Sequence, residues 1–79
     1  MVKLKEIERN DESITCVAFV EDCEEPINIE FSIENETIHS SPLPEGYEWC
    51  TSHIAHVRRA LKRMVDENSF VSHTTIMWY

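Results

Sequence analysis

The spacing of apolar positions changes once along this chain, and the change divides it in two. Up to about residue 40 apolar residues fall at every second position or in short runs. From Trp49 to Val65 they recur every three or four. Residues 2–8 read as a first strand with Val2 and Leu4 on one side. Ile7 is out of phase with that pair, which predicts a bulge or an early strand end. Asn10, Asp11, Glu12 and Ser13 form a polar turn signal. Residues 13–21, SITCVAFVE, are apolar and β-branched on both faces, the pattern of a central strand covered on both sides or paired across a dimer. Residues 27–33 alternate cleanly, with Ile27, Ile29, Phe31 and Ile33 on the buried side. Asn35 is the expected turn residue after them, because Asn tolerates positive φ, and a short fourth strand is expected over 37–39.

The helical segment follows a break containing Pro42, Pro44 and the single glycine, Gly46. At 100° per residue, Cys50, Ile54, Val57, Leu61, Met64 and Val65 fall within an arc of about 100°. His53 lies at the edge of that stripe. Thr51, Ser52, Ala55, His56, Arg59, Lys62 and Arg63 occupy the opposite arc. Thr51 or Ser52 is the expected cap, and residues 66–69 the expected end. The tail, VSHTTIMWY, reads as a last strand with either Ile76 and Trp78 or Met77 and Tyr79 facing the core. The pattern predicts one α+β domain over residues 1–79. It consists of a small sheet of three to five mostly antiparallel strands with one helix packed on one face, in the order β-β-β(-β)-α-β. A strand that follows a helix is expected to return parallel to the third strand through a right-handed crossover.

Composition narrows the function classes. The chain has 79 residues, 42% of them hydrophobic and 28% charged, enough for one small folded core. One glycine is too few for a Gly-rich phosphate loop. The first twelve residues hold no apolar run of signal-peptide length, and residues 14–20 are too few to span a bilayer. Cys16, Cys23 and Cys50 fit neither a disulfide framework nor a paired zinc motif, so reduced thiols in a cytoplasmic protein are expected. The charge is lopsided. Residues 1–48 carry three Lys and Arg against thirteen Asp and Glu, a balance of −10; residues 49–79 carry four against two, a balance of +2. The net −8 disfavours nucleic acid and anionic lipid as partners while leaving room for a local basic patch.

Candidate chemistry gathers on the helix. Cys50, His53 and His56 are spaced C-x2-H-x2-H, so two of them can grip one metal ion, although all three fan over about 120° of the helix. The same positions read equally as a small core cysteine and two flanking histidines. Cys50 near a helix start with His53 one turn on is a nucleophile-and-base arrangement, opposed by its place in the apolar stripe. Arg58, Arg59, Lys62 and Arg63 form a basic ridge in a half of the chain that also holds Tyr47, Trp49, Phe70, Trp78 and Tyr79. Cations with aromatics suit single-stranded nucleic acid, but four cations on an acidic body are few. The acidic run from Glu21 to Glu25 lacks the spacing of a calcium loop. No catalytic constellation is complete and no cofactor motif is present. The expectation is a small cytoplasmic, non-catalytic binding or interaction module acting on a protein partner or on itself, with no membrane partner. Nucleic-acid binding through the helix, or a metal or thiol site at its start, are the alternatives.

Overall fold

A computed structural model describes residues 1–78. Tyr79, the last residue of the expected final strand, lies outside the described residues. The elements are β1 (Val2–Arg9), β2 (Ser13–Val20), β3 (Ile27–Ser32), β4 (Thr37–Ser40), α1 (Thr51–Asp66) and β5 (Thr74–Ile76). All strands join one antiparallel sheet in the order β4-β3-β2-β1-β5. The α+β class, the helix and the short fourth strand are as the sequence predicts. The parallel return is not. β5 pairs antiparallel with β1, Val2 opposite Ile76 and Leu4 opposite Thr74, at the far edge from β4. The third strand is already flanked by β2 and β4, so the only vacant edge near the helix end is that of β1.

The bulge in β1 decides which residues enter the core. Between Lys5 and Glu8 the strand takes three steps while β2 takes two, from Val17 to Thr15. The extra residue is absorbed at Glu6, whose φ is 54°. Strict alternation would point Ile7 away from Val2 and Leu4. The bulge turns it inward, where it is buried, and sends Glu8 out. The turn after β1 is closed by Asn10, whose Oδ1 accepts from the backbone N–H of Glu12 and of Ser13, each at 2.8 Å. In the β3–β4 turn the left-handed residue is Glu36 (φ 57°), not Asn35. Its N–H donates to the Ser32 carbonyl at 2.8 Å, which places the reversal one residue later than the asparagine.

The helix covers one face of the sheet and touches both edge strands, so the twisted sheet wraps around it. Its N-cap is Cys50 and no side chain caps it, in place of the expected Thr51 or Ser52. The entry is held instead by successive tight turns. Tyr47 N–H donates to Pro44, Cys50 N–H to Tyr47 and His53 N–H to Cys50. The C-terminus is a complete Schellman stop: Asn68 takes φ 50° with its N–H on Val65, and Ser69 N–H reaches back to Met64. The core joins Val2, Leu4 and Ile7 of β1, Ile14, Ala18 and Val20 of β2, and Ile27, Ile29 and Phe31 of β3 to Val57 and Leu61 of α1. Of the two alternatives for the tail, Ile76 and Trp78 pack against this core and Met77 is exposed.

Candidate functional site

The helix start was one of the alternative candidate sites in the sequence, and there the structure builds packing. Cys50 is fully buried, and burial pushes its thiol above the ordinary range, with the nearby Glu21 carboxylate adding to the rise. A thiol held protonated and out of solvent is a poor nucleophile despite its place at a helix start. Cys16 is pushed up to about 11 by burial, and all three cysteines are free and buried.

His53 is not at the margin of the stripe. It is 5% exposed and forms the buried line of the helix with Val57 and Leu61, displacing Ile54 to a half-buried position. Two contacts draw it in. Its Nε2 lies 2.8 Å from Glu21 Oε2, and that same oxygen is 2.5 Å from the amino group of Met1. Its ring makes T-shaped contacts with Trp49 and Trp78, at 5.4 Å and 4.8 Å between centroids. His56, one turn on, stacks flat on Trp78 at 4.0 Å. Its pKa is lowered, by desolvation first and then by the Arg59 and His53 charges. Cys50, His53 and His56 therefore diverge, to the core, to Glu21 and to Trp78. Among the described residues no group of three His, Cys, Asp or Glu side chains is arranged to hold a metal ion. Sequence spacing contains no hint of Glu21 as the partner of His53, because the two are 32 residues apart.

The basic ridge is split and internally engaged. Arg58 donates from Nε to the Glu36 carbonyl at 2.7 Å, and Lys62 pairs with Asp66 at 2.8 Å and lies 3.9 Å from Glu36. These bonds raise the Lys62 pKa. Arg59 lies 3.4 Å from His56, and only Arg59 and Arg63 of the four are fully exposed. Asp66 and Glu67 share the shallow depression that Arg59, Lys62 and Arg63 line, so the ridge carries both signs of charge.

The opposite face of the sheet is open. Thr15, Val17 and Phe19 of β2 point to it, with Lys3 and Lys5 on one side and Asn28 and Glu30 on the other. Lys5 covers Phe19, its Nζ 5.6 Å from the ring centroid. Beyond Lys5 the bulge opens a groove of about 560 Å³. Thr15, Val17 and Asn28 line it together with Glu6, Glu8 and Glu30, and His39 stands opposite Glu30. The two-faced apolar pattern of β2 was the sequence signal for this surface. The carboxylates were not, since Glu6 and Glu8 reach one groove only because of the bulge. No protein-family model, curated protein or solved structure matches the chain. Among the described residues no helix is long and apolar enough to cross a membrane.

Proposed function

We propose that this chain is a non-catalytic interaction module whose open sheet face receives a basic, partly apolar segment of a protein partner. The observation that carries the reading is the groove over β2, where Thr15 lies between Glu8 of β1 and Glu30 of β3, with the half-buried apolar Val17 next along the strand and Glu6 at the bulge. Apolar floors flanked by one sign of charge select by complementary charge and gain affinity from the floor. The −10 balance of residues 1–48 adds a long-range field that attracts cations. A cytoplasmic setting is part of the proposal and is supported by three unpaired thiols. The nucleic-acid reading loses support because Arg58 and Lys62 are engaged within the fold.

A lysine-rich peptide with interspersed valines, titrated against the labelled protein by NMR, is the direct test. Resonances of Thr15, Val17 and Glu30 should shift. Affinity should fall on the order of tenfold in the Glu8→Lys/Glu30→Lys double variant, and it should weaken with added salt. Binding that leaves these resonances unmoved, or that survives the double variant unchanged, overturns the proposal.

A further inference from the structure

The two edges of the sheet differ. β4 is followed by Pro42 and Pro44, and it lies beside the acidic half of the chain. β5 is Thr74, Thr75 and Ile76, without a charge, a proline or a bulge, and among the described residues no strand pairs with its outer side. Natural sheets block such an edge when they have nothing to pair it with. The edge is flanked by Val71 at 46% exposure and Met77 at 64%, two of the three large apolar residues exposed among the described residues. Alongside it runs a groove of about 390 Å³ against the C-terminal half of α1, lined by Ala60, Arg63, Met64, Glu67, Ile76 and Met77.

We infer that this edge, with the helical groove beside it, is the contact surface for a second copy of the chain. The two β5 strands would pair antiparallel about a two-fold axis at Thr75, joining two five-stranded sheets into one of ten strands. Three features select a second copy over a foreign strand. The groove carries one cation, Arg63, and one carboxylate, Glu67, a turn apart, so a copy meeting this surface finds both signs of charge, as a self-complementary surface requires. Thr75 points to the outer face and would oppose itself at the axis, a favourable Thr–Thr cross-strand pair. Thirteen of the fifteen carboxylates belong to residues 1–48, so two copies of net charge −8 repel least when they meet through residues 49–79. Three strand residues cover too little area for a stable pair, which needs on the order of 1,200 Å² in total. Val71, Met77 and the helical groove extend the contact beyond the strand. This surface is separate from the groove over β2 and does not depend on the reading given to that groove.

Sedimentation equilibrium of the full chain should show a concentration-dependent species of twice 9.3 kDa. Thr75→Cys should give a disulfide-linked dimer under mild oxidation, whereas the buried native thiols of the unaltered chain should give none. Thr75→Glu places two carboxylates face to face at the axis while Lys3, its neighbour on β1, supports the fold. It should weaken the dimer on the order of tenfold or more. Arg63→Glu should weaken the dimer, and adding Glu67→Arg to it should restore it. A 9.3 kDa species up to about 1 mM, with no Thr75→Cys crosslink, overturns the inference. So does a dimer indifferent to both Thr75→Glu and Arg63→Glu, which would place the contact on another surface.

Discussion

The two faces of the sheet begin from nearly the same strand chemistry and end differently. On β2, Ile14, Cys16, Ala18 and Val20 point one way and are buried, while Thr15, Val17 and Phe19 point the other way and stay partly or wholly exposed. Among the described residues there is one helix, and it covers only the inner face. The inner face gains its stability from this closure, and its one buried polar side chain among the described residues, His53, is tied to Glu21. The outer face keeps apolar surface among charges. A strand apolar on both sides therefore does not require two layers from its own chain; the second side can be left for a partner.

The largest expected effect separates the faces directly. Phe31→Ala removes a fully buried ring under the helix and should cost roughly 3–5 kcal/mol. That approaches the whole stability of a domain this size, about 4–12 kcal/mol. Val17→Ala on the open face should cost only about 0.5–1 kcal/mol. Denaturant melts of both variants measure the contrast, and equal costs would mean that Val17 is covered in solution. The next effect concerns the helix start. His53→Ala should cost roughly 2–4 kcal/mol, from lost volume and a lost bond to a carboxylate. His53→Leu should recover part of this, because it keeps volume and removes the buried Nδ1, which has no partner among the described residues. A leucine variant as unstable as the alanine one would make the Glu21 bond the dominant contribution.

Periodicity made the inner face legible. The alternation of Ile27, Ile29 and Phe31 and the stripe of Val57 and Leu61 point to it, and Ile7 signals the bulge by being out of phase. What the pattern hides are pairings set by distance along the chain. His53 reads as marginal by angle because its burial depends mostly on Glu21 and Trp78, which come from across the fold and add to the local Trp49. The antiparallel docking of β5 was hidden for a related reason. Crossover rules govern parallel returns, whereas here the vacant edge of β1 determines the partner. The groove was half legible: its floor was visible in β2 and its walls were not, since a left-handed glutamate in a bulge leaves no compositional mark.

Left-handed residues yield a smaller test at the rim of the covered side. Glu36 holds φ 57° in the β3–β4 turn, a conformation that costs an L side chain about 1–2 kcal/mol and glycine almost nothing. Glycine gives back about 0.5–1 kcal/mol in unfolded-state entropy. Glu36→Gly should therefore stabilise by a few tenths of a kcal/mol, since the Arg58 bond is to the carbonyl and survives. A loss of stability on thermal melting would show that the carboxylate near Lys62 outweighs the backbone strain.

The finest test asks where the covered face ends. His56 is half-buried on Trp78 and its pKa is lowered from the ordinary 6.5 by desolvation, with Arg59 and His53 adding to the effect. A histidine with a lowered folded pKa takes up fewer protons folded than unfolded across that interval, so acid favours unfolding there. The contribution of His56 should therefore be neutral well above pH 6.5 and become destabilising as pH falls through 6.5 toward the lowered value, levelling off below it. His56→Gln should remove that slope, leaving only a pH-independent offset from the lost stack on Trp78. Thermal melts of the two proteins from pH 8 to about pH 5 read the difference directly. A wild-type slope unchanged by the substitution would assign the effect to another group and put His56, with its stacked Trp78, outside the covered face.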